Sequence, residues 1–100
     1  MSETLPIYEK DLATYVRDTA KLFGWRRYHT WLAKHSPAGF PDEVLVRRGR
    51  LIFAELKSDK GKLSAEQEAW LEDLRRVAIA RVEVYVWRPS DMARIAEILR

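Results

Sequence analysis

Three charged side chains carry the chemistry this sequence can offer: Asp42, Glu55 and Lys57. Composition closes the other routes. Cysteine is absent, serine and threonine are few, and neither histidine stands in the G-x-S-x-G setting of a serine hydrolase. No P-loop, dinucleotide fingerprint or His-x-x-x-His pair occurs. The β-rich runs Glu43 to Arg47 and Leu51 to Lys57 flank Arg48-Gly49-Arg50 and read as a hairpin, with Gly49 supplying the positive φ of its turn. Around that turn, residues pair when their numbers sum to about 97, which sets Asp42 opposite Glu55. Alternation sends Glu55 and Lys57 out of the same sheet face about 6.5–7 Å apart.

Two carboxylates brought together repel, and one tends to hold a proton unless a cation intervenes. Oxygen-only ligation with room for water suits Mg²⁺ (or Mn²⁺), and the Leu56 carbonyl is a further hard donor. A lysine would oppose a purely structural metal. Beside a phosphodiester it stabilises developing negative charge or orients the attacking water. The set therefore points to metal-assisted phosphodiester hydrolysis. The same Glu-x-Lys on an edge strand would also serve as a solvated ion pair worth well under ~1 kcal/mol. Pro41-Asp42 at the start of the partner strand favours the catalytic reading, because the hairpin brings the acids together.

The elements that must position this cluster follow from periodicity. Tyr8 to Phe23 is an amphipathic helix, with Leu12, Tyr15, Val16, Thr19 and Leu22/Phe23 on one face and Gly24 as its C-cap. Trp25 to Thr30 reads as a short strand and Trp31 to Pro41 as a long loop. Ser64 and Gln67 form a capping box ahead of a helix whose apolar face is Trp70, Leu71, Leu74, Val77 and Ala78. Val82 to Trp87 is a strand, and Ser90 caps a last helix carrying Met92, Ile95, Ala96 and Leu99. The order is α-β-β-β-α-β-α. It implies an α/β fold, a small mixed β-sheet flanked by helices, with a right-handed crossover from Leu51 to Trp87.

One hundred residues, 47% of them hydrophobic, suit a single domain over 1–100 with a real core. Without cysteine there is no disulfide and no thiolate metal site. No apolar run approaches the roughly 18 residues of a membrane span, and the N-terminus lacks a leader pattern. A cytoplasmic protein without membrane contact is expected. The net charge of +3 permits an anionic partner without demonstrating one.

The chain resembles the PD-(D/E)XK nuclease superfamily and, more narrowly, a stand-alone VRR-NUC (virus-type replication-repair nuclease) domain of the phage type. The resemblance runs through Glu9, Gly24-Trp25, Tyr28-His29-Thr30, Gly39-Phe40-Pro41-Asp42 and Phe53-Ala54-Glu55-Leu56-Lys57. It continues through Gly61-Lys62-Leu63-Ser64, Glu66-Gln67, Trp70 and Val84 to Pro89. It implies a restriction-endonuclease-like core in which Asp42 and Glu55 bind the catalytic metal and Lys57 serves the water or the scissile phosphate. Glu9 would complete the acidic site, the alternative being a solvated helix-start carboxylate with Glu3 as the competing acid. Gln67 would approach the site, or only close the capping box. Glu43 stands where relatives usually carry an apolar residue, and it should point away from Asp42's face. The glycine usual between the second helix and the last strand is missing from Ala78-Ile79-Ala80-Arg81.

Relatives of this type resemble Holliday-junction resolvases, which implies a structure-selective endonuclease for branched DNA in repair or recombination, in a bacterial or phage-infected cell. Two symmetry-related scissile phosphates in a four-way junction would call for a C2 homodimer. Arg26, Arg27, Trp31, Lys34, His35, Arg48, Arg50, Lys60 and Lys62 are candidate contacts to DNA phosphates and branch-point bases, though any one is also an ordinary surface residue. Trp70 and Trp87 read as core, and His29 as hydrogen-bonded scaffold. No organic cofactor is expected. A DNA-binding module without catalysis, or a nuclease on this scaffold for flaps or linear duplex, are the alternatives.

Overall fold

A computed structural model describes residues 9–31, 36–77 and 79–100. Helix α1 (Glu9–Leu22) leads to strands β1 (Arg26–His29), β2 (Glu43–Arg47) and β3 (Arg50–Leu56). Helix α2 (Ala65–Val77), strand β4 (Val82–Trp87), a 3-10 turn (Pro89–Asp91) and helix α3 (Met92–Leu99) follow. This is the expected α-β-β-β-α-β-α order. The strands form one mixed sheet, β1-β2-β3-β4, antiparallel except for the parallel β3–β4 pair.

Local chemistry sets most boundaries. After α1, the Trp25 N–H reaches the Ala20 carbonyl at 2.9 Å and the Gly24 N–H reaches that of Lys21 at 3.2 Å, a Schellman ending. The hairpin closes on the Arg47–Arg50 pair, so its turn has two residues and not the three expected. Arg48 (φ 48°) and Gly49 (φ 78°) are both left-handed, the type I′ geometry whose twist matches that of the strands. The register is Glu43↔Ala54, Val44↔Phe53, Leu45↔Ile52. Continued by one residue, it opposes Asp42 to Glu55.

Alternation then sorts the sheet into two faces. Leu45, Ile52, Ala54, Leu56 and Trp87 join Leu12, Val16 and Ala20 of α1 and Ile95 and Leu99 of α3 in one buried cluster. The opposite face carries Val44, Phe53 and Glu55, and α2 crosses that side between β3 and β4, burying Leu71.

Three expectations need correction. Ser90 does not cap the last helix: it lies inside the 3-10 turn, where Asp91 Oδ2 accepts the Arg88 N–H at 2.9 Å, and α3 begins only at Met92. Lys57 falls outside β3, although its N–H still bonds the Trp87 carbonyl at 3.0 Å. Val77 is 71% exposed and so does not belong to the buried face of α2. Tyr8 and Ala78 lie outside the described residues. No described helix is long and apolar enough to cross a membrane.

Candidate active site

Asp42 stands just before β2 in a segment held from two sides. The Thr30 N–H donates to the Asp42 carbonyl and the Thr30 hydroxyl to the Pro41 carbonyl, both at 2.8 Å. Across the hairpin, the Leu56 N–H donates to Asp42 Oδ2 at 3.0 Å and ties the carboxylate to β3. Upstream, Gly39 (φ 97°) lies against the first turn of α2. A Cβ there would stand 2.5 Å from the Glu66 carbonyl carbon, closer than any side chain allows. Phe40 then packs edge-on against Phe53 and Trp70, with centroids 6.1 and 5.1 Å away.

Glu55 is buried, and its two oxygens fare differently. Oε2 accepts a hydrogen bond from Gln67 Nε2 at 2.8 Å, whereas Oε1 is buried with no hydrogen-bond partner among the described residues. Gln67 also closes the capping box: its Oε1 accepts the Ser64 N–H at 2.9 Å and Ser64 Oγ accepts the Gln67 N–H at 3.1 Å. A main-chain N–H can only donate, so the amide oxygen must face Ser64 and the NH₂ group is left for Glu55. One side chain thus meets both descriptions that the sequence allowed for it.

Burial first, and then the charge of Asp42 within hydrogen-bonding reach, push the Glu55 carboxyl up to about 8, against partial relief from Lys57. Lys57 is half-buried, and the stem of its side chain passes Gly61, where an added Cβ would lie 3.5 Å from Lys57 Cδ. The loop carrying Lys60 and Lys62 is tied down by Arg88, whose Nη1 donates to the Ser58 carbonyl at 2.6 Å and to that of Gly61 at 2.7 Å.

A buried carboxylate oxygen without a donor, beside a second carboxylate, is a hard and anionic donor set. It fits a divalent cation, with Asp42 and Glu55 as the residues that could hold one. Among the described residues no three His, Asp or Glu side chains gather at metal-binding spacing. The side chain of Glu9, at the start of α1, lies outside what is described.

The expected DNA contacts scatter. Arg26 is exposed on β1, and Lys60 and Lys62 are exposed after β3. Arg48 and Arg50 sit at the hairpin turn, about 17–20 Å along the strands from Asp42 and Glu55. Arg50 is engaged there: its guanidinium grips Glu83 with two bonds of 2.8 Å. Arg27 is engaged too, and not free for phosphate, because Nε and Nη2 bond the Glu43 carboxylate at 2.6 and 2.9 Å. Lys34 and His35 fall outside the described residues. Sequence reasoning placed Glu43 on the face away from Asp42 but missed its partners, Arg27 and His29, the latter bonded through Nδ1 at 2.6 Å. An arginine and a histidine two residues apart on β1, and so on one face, were the available signal.

The model of the VRR-NUC domain family matches residues 9–89. Two solved structures share the fold. One is described as a VRR_NUC domain, with a TM-score of 0.70, 20% identity and coverage of 89% of this chain and 94% of that one. The other is described as a VRR_NUC domain protein, with a TM-score of 0.69, 22% identity and coverage of 94% and 87%. A comparison with curated proteins finds no match. With most of its length matched and its sheet and helices in the same arrangement, the chain belongs to the VRR-NUC family of nuclease domains.

Proposed function

We propose that this protein is a divalent-metal-dependent, structure-selective DNA endonuclease that hydrolyses phosphodiesters in branched DNA, four-way junctions foremost, during repair or recombination. The observation that carries this reading is the Asp42–Glu55 pair, in which one buried carboxyl oxygen has no hydrogen-bond partner among the described residues. A bound Mg²⁺ or Mn²⁺ would polarise the phosphate and acidify an attacking water. The chain's own groups supply the rest. Asp42 and Glu55 provide anionic oxygens, with the Leu56 carbonyl and Glu9 as further donors. The Leu56 N–H and Gln67 Nε2 each hold one carboxylate oxygen in place and leave Glu55 Oε1 for the cation. Lys57, two residues from Glu55, adds positive charge for the phosphate as negative charge builds on it. Resolution of a junction with two equivalent scissile phosphates would use a C2 homodimer.

The test offers four-way junction, flap, linear duplex and single-stranded DNA to the purified protein with Mg²⁺, Mn²⁺ or EDTA, beside Glu55→Ala and Lys57→Ala. Metal-dependent junction cleavage, lost in both variants, is expected. Binding without cleavage would make the protein a non-catalytic DNA-binding module. Equal cutting of linear duplex would remove the structure selectivity. Cleavage that survives Glu55→Ala would remove the site.

A further inference from the structure

A cleft of about 730 Å³ opens beside the acids, with Asp42 and Gln67 in its wall. Much of the remaining lining is aromatic: Tyr28, Trp31, Phe40 and Trp70. Two of these rings are unusually open, Tyr28 at 61% and Trp31 at 78% exposure. Single exposed aromatics are unremarkable, but several around one concavity mark a binding surface. These rings are also held in place. Trp31 meets His29 edge-on at 5.2 Å, and His29 is fixed by Glu43. Phe40 is fixed between Phe53 and Trp70. By register, Tyr28 lies on the sheet face that also carries Asp42 and Glu55.

We propose that this cleft takes an unpaired nucleobase of the strand being cut, stacked on Trp31 and Tyr28, so that the enzyme selects DNA with bases already out of the helix. The inference rests on the nuclease reading above and names what that site selects. A base inside a duplex is covered on both faces by its neighbours, so only an unstacked base can offer a ring face to a recess of this size. Asp42 in the cleft wall means that such a base belongs to a nucleotide at or beside the scissile phosphate. Arg26 is exposed on the same strand face, about 6.5–7 Å from Tyr28, where it complements the backbone charge of that strand. An apolar peptide or a second copy of the chain in the same recess would strip water from the Asp42 carboxylate without compensating it.

The test measures binding by fluorescence anisotropy in EDTA, where a metal-dependent nuclease does not turn over. The probes are labelled oligothymidylate, a fully paired hairpin, and the same hairpin with one unpaired thymine or an abasic site in its place. Trp31→Ala and Tyr28→Ala are each expected to weaken oligothymidylate and the unpaired-thymine hairpin by about 5–50-fold, the scale of one lost stacking contact. Paired and abasic hairpins change by less than about twofold, and Trp31→Phe keeps most of the affinity. Equal losses on all probes, or no loss on any, overturn the proposal. Trp31→Ala that dissociates a dimer while DNA binding is unchanged overturns it in favour of self-association. Wild type that cuts DNA while both alanine variants bind normally removes this inference alone. Wild type that neither binds nor cuts DNA removes the nuclease reading with it.

Discussion

Asp42 and Glu43 are consecutive acids, yet they face opposite sides of one sheet into opposite electrostatic situations. Glu43 is fully buried and completely answered: Arg27 grips both its oxygens and His29 adds a third bond. Asp42 shares its side with Glu55, which is 2% exposed, pushed up to about 8, and left with one oxygen unbonded. Burial of a charge is therefore not the mark of a working carboxylate. Glu43 is compensated by groups of the fold itself. The Asp42–Glu55 pair is compensated only in part, by the Leu56 N–H, Gln67 and the nearby charge of Lys57. The first arrangement holds β1 to β2; the second keeps two acids close together without such an answer.

Neutralising one acid on each face separates the two roles. Glu43→Ala strands the Arg27 guanidinium and is expected to cost about 3–5 kcal/mol in chemical denaturation. Apolar residues at positions 27, 29 and 43 together should recover most of that loss. A Glu43→Ala protein as stable as wild type would show that the buried cluster is not structural. Glu55→Gln is expected to lower cleavage about 10²–10³-fold, the scale of losing a group that stabilises transition-state charge. It should leave the metal-free fold as stable as before or more so, as thermal melting would report.

The titration of Glu55 sharpens that contrast. Its folded value lies above the ordinary 4.5, so the folded protein holds a proton that the unfolded chain releases. The resulting stability is complete below about 4.5 and is lost as pH rises through about 8. Melting curves of metal-free wild type should fall across that window, and those of Glu55→Gln should stay flatter.

Gly39→Ala probes the contact between the two halves of the site. Its Cβ would force the Asp42 segment and the first turn of α2 apart, at about 1–3 kcal/mol, and cleavage should drop as Gln67 leaves Glu55. Unchanged activity would show that Gln67 is only a helix cap. The smallest effect belongs to the far end of the sheet. Arg50 holds Glu83 below the usual carboxylate range, so this pair contributes above about 4.5 and fades as pH falls through the lowered value. Arg50→Met should cost about 0.5–1 kcal/mol at pH 7, and less in acid.

How far the sequence reached depends on how far apart the interacting residues lie. The hairpin's register was readable, though not its turn length, because two-residue alternation is local: pairing at a sum of 97 set Asp42 against Glu55 and turned Glu43 away. The helices and the Ser64–Gln67 cap followed from equally short-range patterns. Ser90 was misread for the complementary reason: its N–H donates to Asp59 Oδ1, 31 residues away, at 3.0 Å, and it lies within a 3-10 turn ahead of the helix.

The tertiary structure alone decided which charges are answered. Arg27 and Glu43 are 16 residues apart, Arg50 and Glu83 33 apart, and Gly39 meets Glu66 across two loops and a hairpin. No turn rule limits how a strand registers across a long connection, so β1 against β2, and α2 against the Asp42 segment, are settled only when the whole core closes. Types and spacing named the acids. Packing determined that Glu43 would be answered by Arg27 and His29 and that Glu55 would be buried beside Asp42.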